Sequence, residues 1–279
     1  MPRTLWTEKT FQKEADRTLV RARQLVTVDQ LQEALETGDI DPLITQLAGS
    51  GDFEKLFAAG IVAPLTSDVE SYMAMEFAAK HWGLDPKDEY VGHWLRTYGL
   101  DKAKELSAST IDGIRTALDA NLYGGSDPRV AAQTIRPWVG LTDRQMGAVN
   151  RRYFSYLEQG MRRDIARTKA TAYYERLREY RAMTIARTEI NAAQNHGLLE
   201  AWRQGAGEGR INIKTYCKVW TAALGNERTC EVCLDLDGVR VRINETFPGG
   251  FDCPPAHPNG RCSMYLVEGE TTAEMQQGI

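Results

Sequence analysis

At 279 residues, with 42% hydrophobic and 26% charged side chains, the chain has the make-up of one large or two ordinary globular domains and not of a disordered segment. A net charge of −4 gives no overall reason to expect nucleic-acid binding, and no apolar run approaches the roughly 20 residues needed to span a bilayer. The opening MPRTLWTEKTFQKEADR lacks the apolar stretch of a signal peptide, so a cytoplasmic chain with reduced thiols is expected, which favours metal over disulfides for clustered cysteines.

The first third reads as helices. From Thr10 to about Val26, Phe11, Ala15, Leu19 and Val20 fall at spacings that suit one helix face. Thr27-Val28-Asp29-Gln30 has the form of a capping box opening a second helix through Leu31 and Leu35, which Gly38 stops. Asp41-Pro42 places a proline in a first turn, where its missing N–H costs nothing. Ser67-Asp68-Val69-Glu70 is another capping box, for a helix to about Trp82. Gly83, Pro86, Gly92 and Gly99 are expected to break the chain beyond that helix into short pieces. A further helix then starts near Ser109, with Ile111, Ile114, Leu118 and Leu122 on one side, and ends at Gly124-Gly125. No period of 20–50 residues repeats, which argues against a solenoid.

From Asp127 to about Arg203 the chain is again helical. Pro128 opens one helix, and Thr142-Asp143-Arg144-Gln145 caps another that carries Met146, Val149, Tyr153 and Leu157. Between Arg151 and Arg181 lie nine basic and four acidic residues, a local excess of +5. Arg151, Arg152, Arg162, Arg163 and Arg167 are the candidate binding residues of this stretch. It is either a solvated helix face or a surface for phosphates or an acidic protein partner. Tyr153, Tyr173, Tyr174 and Tyr180 sit at helical spacing, which reads as half-buried core rather than base-stacking platforms.

From Gly205 the pattern changes. GAGEGR reads as a flexible connector. Ile211, Ile213 and Thr215 then alternate with polar residues, and Tyr216 to Trp220 continue in β-forming types, with Cys217 as a core residue. Val239, Val241 and Ile243 mark a second strand after the Asp237-Gly238 turn. All five cysteines lie at or after position 217. Cys230 and Cys233 form a CxxC pair ahead of a turn-rich loop that ends in Cys253, His257 and Cys262. Two close soft ligands, a chain reversal and two or three more ligands is how a short segment builds a tetrahedral zinc site. A metal cross-link would offset the ordering entropy that few apolar side chains cannot. The alternatives are reduced, half-buried cysteines held by packing, or disulfides formed outside the cell. His257 between prolines is either a ligand or a polar anchor of the loop. Glu231, Asp235, Asp237 and Asp252 match no base-plus-ligand spacing, and no Ser-His-Asp order, P-loop or GxGxxG fingerprint occurs, so a non-enzymatic chain is expected.

Three stretches, in order, resemble one family. They are Ile185-Ala186-Arg187-Thr188-Glu189 with the run from Asn191 to Gly197; Trp220 followed by Arg228 to Cys233 and Leu236-Asp237-Gly238; and Pro254-Pro255-Ala256-His257-Pro258-Asn259-Gly260-Arg261-Cys262. Together with Gly140 to Gln145 upstream, they resemble the phage head morphogenesis (Mu F-like, or MuF) minor capsid proteins from about residue 105 to 267. The family pattern usually reads HPxCRC, and here its first cysteine is Gly260. Cys253 stands nearby as a substitute thiolate, which leaves open which four of Cys230, Cys233, Cys253, His257 and Cys262 bind.

The expected fold is mainly α with a small α+β C-terminal module of short antiparallel strands and a metal- or thiol-stapled loop. The expected divisions are a helical region 1–105, a helical middle 106–210 with the basic stretch, and a Cys/His-rich module 211–279. Arg187 and Glu189 are two apart and do not face each other on a helix. Arg187 is expected to bridge to a carboxylate and tie its helix to the module, and Glu189 and Trp220 are likewise read as structural. The resemblance implies a minor capsid protein of the virion that associates with the portal protein and with the major capsid or scaffold protein, and that contacts packaged DNA or helps in its ejection. The ligand spacing adds an expected structural zinc ion, and the lack of a long apolar run leaves no membrane partner expected. The alternative is a zinc-stabilised nucleic-acid-binding protein.

Overall fold

The computed structural model describes residues 8–65, 89–123, 127–224 and 229–277. It is mainly helical, with one three-stranded antiparallel sheet near the C-terminus. The chain falls into two compact units. One takes in Thr10–Pro64 and Tyr98–Met183; the other takes in the described parts of Met1–Lys9, Leu65–Thr97 and Thr184–Ile279.

In the helical unit, α1 (Glu8–Ala22) buries Phe11, Ala15, Thr18, Leu19 and Ala22. Thr18 takes the buried place that the spacing suggested for Val20, because its hydroxyl is satisfied by the Glu14 carbonyl at 2.8 Å. The Thr27–Gln30 capping box is formed as expected at the head of α2 (Val28–Thr37), and Gly38 ends it at φ 70°. Helix α3 (Asp41–Ser50) starts with Pro42 in its first turn, and α4 (Asp52–Phe57) runs on into a π-turn at Ala58–Val62.

The expected capping box at Ser67–Glu70, its helix to Trp82, and the breaks at Gly83 and Pro86 lie outside the described residues. The breaks expected at Gly92 and Gly99 do not occur. Both lie inside α5 (Glu89–Tyr123), a single helix of 35 residues that also absorbs the helix expected from Ser109. A glycine within a helix costs only about 1 kcal/mol, which the burial of Ala103, Leu106, Ile111, Ile114 and Leu118 along the same helix outweighs.

Helix α5 passes very close to the turn that joins α6 (Pro128–Ile135) to α7 (Asp143–Glu158). A Cβ at Gly113 would stand 2.1 Å from the Leu141 carbonyl oxygen. That oxygen is backbone and cannot swing aside as a side chain can. Gly113→Ala is therefore expected to destabilise this unit by about 1–3 kcal/mol, the usual cost of overpacking. A thermal melt superimposable on the wild type would show instead that the turn withdraws freely.

The turn itself is held from α8 (Arg163–Gly207). The Tyr174 hydroxyl donates to Val139 O at 2.9 Å, and Trp138 Nε1 donates to Thr171 Oγ1 at 3.1 Å. Arg181 is buried, and its guanidinium donates to Gly140 O (2.7 Å), Ser109 Oγ (2.8 Å) and Thr110 Oγ1 (3.2 Å). Burial lowers its pKa to about 10, so it stays charged at neutral pH, held by neutral oxygens rather than by a hydrogen-bonded carboxylate. Thr142 caps α7 with Gln145 as its spacing required.

In the other unit, α8 continues through Gly205 to Gly207, so the first half of the expected connector is helix. The strand expected from Ile211 begins later. Residues 208–215 form turns, Ile213 is exposed, and β1 is Tyr216–Thr221. It pairs antiparallel with β2 (Arg240–Arg242) on one side and β3 (Ser263–Glu268) on the other. Between β1 and β2 sits the short helix α9 (Glu231–Leu236), and α10 (Thr272–Gln277) follows β3. The core beneath the sheet gathers Leu199 and Trp202 of α8 with Trp220, Ile243, Phe247 and Met264. Trp220 meets Phe247 edge-on at 5.2 Å within this core.

Candidate metal centre

Cys230 caps the N-terminus of α9, and one turn later Cys233 points into the core. The Cys233 N–H lies 3.4 Å from Cys230 Sγ, so the cap that starts the helix also orients the first sulfur. The loop after β2 brings His257 back, with Nε2 3.3 Å from Cys233 Sγ. The ligand atoms of Cys230, Cys233 and His257 all lie within 4.8 Å of one another. His257 Nδ1 is 2.8 Å from Pro258 O. A carbonyl only accepts, so Nδ1 carries the proton and Nε2 keeps its lone pair for a ligand, which is how metal-binding imidazoles are oriented.

Cys262 and Cys253 are placed differently. Burial, then the neighbouring Cys262 and Cys230 thiols, push the Cys233 thiol far above its ordinary pKa, so Cys262 neighbours Cys233, although its sulfur is outside the three ligand atoms that lie within 4.8 Å of one another. Cys253 is also buried with a strongly raised pKa, but the charged groups that act on it are Lys218, Asp252, Arg203 and Glu200. Like that of Cys262, its sulfur is outside the three ligand atoms that converge, and unlike Cys262 it is not among the thiols that act on Cys233. Nor is position 260 open to a cysteine. A Cβ there would lie 2.6 Å from Pro255 Cβ and 3.0 Å from His257 O, so the loop closes around a glycine.

The loop is fastened to α8 by a stripe of short polar side chains. Asn191 Nδ2 donates to Gly260 O at 2.7 Å, and Asn195 Nδ2 to Cys262 O at 3.3 Å. Thr188 Oγ1 accepts from the Asn259 N–H at 2.9 Å, and Thr184 Oγ1 from Asn259 Nδ2 at 3.3 Å. Positions 184, 188, 191 and 195 are spaced four, three and four apart, which puts them on one helix face. This corrects the expected tie. Arg187 does not bridge to the module; its guanidinium binds Glu8 at 2.6 and 2.8 Å, because its side of α8 faces the start of α1. Glu189 is buried, and Arg228 lies outside the described residues.

Two titratable side chains beside the centre, Lys218 and His196, carry no sequence signal. Lys218, in the middle of β1, is fully buried; its Nζ donates to Asp252 O at 2.7 Å and lies 5.2 Å from the Phe247 ring centroid. Burial lowers its pKa to about 8. Burial likewise holds His196, one position from the Asn195 anchor, down to about 4, so it is neutral at physiological pH. Cys217 is buried as expected, with Arg242 Nη1 3.3 Å from its sulfur.

The basic stretch is not one surface. Arg151, Arg152, Arg162, Arg163 and Arg167 are exposed. Arg178 pairs with Asp16 at 2.8 Å, and Arg181 is a core residue, so the +5 overstates the exposed charge. Arg162 is paired locally with Asp164 at 2.6 Å, and Arg152 lies over the Tyr173 ring at 4.3 Å. Of the tyrosines, Tyr153 and Tyr174 are core, Tyr173 is half-buried and Tyr180 is exposed. A shallow cavity of about 530 Å³ borders Arg151, Arg152, Tyr156 and Tyr173.

A family model describing phage Mu protein F like proteins matches residues 112–265, more than half of the chain. The chain belongs to the phage Mu protein F like family. The matched stretch runs from within α5 to β3 and takes in the Arg181-held turn, all of α8, the CxxC pair and the His257 loop. The polar stripe and the Cys230–Cys233–His257 cluster therefore both lie in the family's part of this Mu F-like chain. No curated protein and no solved structure matches it. No helix among the described residues is long and apolar enough to cross a membrane.

Proposed function

We propose that this Mu F-like chain is a non-enzymatic minor capsid protein that acts in phage head morphogenesis as part of the virion. The family match over residues 112–265 carries that reading. Its C-terminal module would be stapled by a structural zinc ion held by Cys230, Cys233 and His257, with Cys262 beside Cys233 as the fourth ligand. The donor set supports this: soft sulfur and imidazole ligands converge from two chain segments, and a hydrogen bond already directs His257 Nε2 inward. Zinc would supply a cross-link there, in a closed, thiolate-rich site of the structural kind.

In this reading the rigid module presents a docking surface to the portal protein at the portal vertex or head interior, and the helices meet the major capsid or scaffold protein. Arg151, Arg152, Arg162, Arg163 and Arg167 would face packaged DNA or an acidic portal surface, during packaging or ejection. The test is mass spectrometry of purified, nuclease-treated particles, alongside binding of the purified protein to portal and to DNA across a salt series. Recovery of the chain in heads at a few copies per portal is expected, as is partner binding that weakens when Arg162 and Arg163 are both changed to Glu. Absence from procapsids and mature particles alike would sink the reading.

A second reading, a zinc-stabilised nucleic-acid-binding protein, draws on the exposed arginines around the Tyr156–Tyr173 cavity. It requires DNA affinity of the isolated protein that falls steeply as salt rises.

A further inference from the structure

The two outer strands of the sheet are finished differently. Along β2, the Arg240 N–H donates to Thr272 Oγ1 at 2.8 Å and the Arg242 N–H to Glu245 at 3.0 Å, so side chains occupy its free edge. Strand β3 pairs only with β1 among the described residues, and no hydrogen bond from another described residue reaches its outer side. The pairing runs six residues without a bulge, through a sequence (Ser-Met-Tyr-Leu-Val-Glu) with no proline and no lysine. Edge strands normally carry one of these devices against joining another strand. Here neither a bulge, a proline nor a lysine is present, the one charge within the strand is Glu268 at its end, and Tyr265 stands exposed near its middle.

The charges at its two ends are opposite. Arg261, just before β3, is exposed and forms no ion pair with a described residue. It borders a cavity of about 370 Å³ that runs along α8 beside Arg187, Asn191 and Gln194. At the far end Glu268 and Glu270 are exposed and likewise unpaired among the described residues. A strand basic at its start and acidic at its end complements a second copy of itself laid antiparallel. Parallel pairing would set like charges together.

We propose that β3 is a self-pairing edge through which two copies of this chain join antiparallel into one continuous sheet. A two-fold axis perpendicular to the sheet keeps outward-facing residues on the same face, so Tyr265 stands opposite its counterpart and Ser263 opposite Val267 of the other copy. Arg261 of each copy then lies beside Glu268 and Glu270 of the other, with the acidic end reaching into the groove lined by Arg187, Asn191 and Gln194. Such an interface is isologous and small, in the weak and transient class.

The test uses the full-length chain. Under mild oxidation Tyr265→Cys should give a disulfide-linked dimer, whereas Ser263→Cys and the wild type should not. In sedimentation equilibrium at high protein concentration, Arg261→Glu alone, or Glu268→Arg with Glu270→Arg, should weaken self-association about ten-fold. Combining all three substitutions, which inverts the pattern but keeps it self-complementary, should restore it. All these positions are exposed, so the variants fold. Three results would each overturn the proposal: a wild-type chain that stays monomeric at every concentration, equal cross-linking through positions 263 and 265, or charge reversals without effect. A chain that remains monomeric but captures an extended segment of another head protein on β3 would assign the edge to that partner instead.

Discussion

Cys233→Ser is expected to strip the zinc from the C-terminal module and to melt it. Purified wild-type protein should carry about one zinc per chain, and the variant close to none. For small structural sites the metal-binding free energy, of order 10 kcal/mol, is folding free energy, so losing one ligand should cost about 5 kcal/mol or more. Cys253→Ser is the matched control. That thiol is also buried, yet it is outside the group of ligand atoms that converge and, unlike Cys262, is not among the thiols that act on Cys233, so its variant should keep the metal and lose only about 1–2 kcal/mol of packing. Metal analysis combined with thermal melts before and after chelation reads both effects. If Cys233→Ser keeps a full equivalent of zinc, or behaves like Cys253→Ser, the cluster is a packed set of reduced thiols and the zinc reading falls.

The second large effect is expected at Arg181, in the helical unit. Arg181→Met keeps the stem but removes the donors to Gly140 O, Ser109 and Thr110, leaving a turn carbonyl that had accepted at 2.7 Å without its partner. Unsatisfied buried polar groups cost about 1–3 kcal/mol each, so a total loss of about 3–5 kcal/mol is expected by urea unfolding. Arg181→Lys should rescue little, since one ammonium cannot reproduce a planar fork that reaches three oxygens. Arg163→Met, on the exposed face of the same helix, should stay within about 0.5 kcal/mol of wild type. An Arg181→Met variant as stable as that control would mean the turn holds itself.

Local signals in the sequence proved legible where the physics is local. The capping boxes at Thr27 and Thr142, the stop at Gly38 and the prolines at 42 and 128 each act within one turn of chain, and each helix starts or stops there. The closeness of Cys230 and Cys233 was readable for the same reason, since they lie one helical turn apart, whereas His257 joins them from 24 positions beyond Cys233. The failures share a cause as well. Gly92, Gly99 and Gly205 have poor helix propensity, but the burial along α5 and α8 that overrides it comes from distant residues. Nothing local distinguishes buried Arg181 or Lys218 from the exposed arginines and lysines around them. Arg187 finds Glu8 from 179 positions away, a partner that no spacing rule reaches. The Thr184–Thr188–Asn191–Asn195 stripe was visible as a period, yet its residues are polar, and a polar stripe reads as solvent-facing until a loop is seen to lie on it.

That stripe also orders events in time. Helix α8 forms from neighbours along the chain, on the sub-microsecond scale of helix growth, whereas the loop it receives lies 67 to 75 residues downstream. Closing so long a connection costs entropy before any ligand converges. If the helix forms first, it would serve as the template on which the cysteines and histidine are gathered, and an ion bound there would meet a loop already shaped for it. A peptide cut to the Cys/His segment alone must spend part of its metal affinity on that shaping, so it should bind zinc more weakly than the intact chain does.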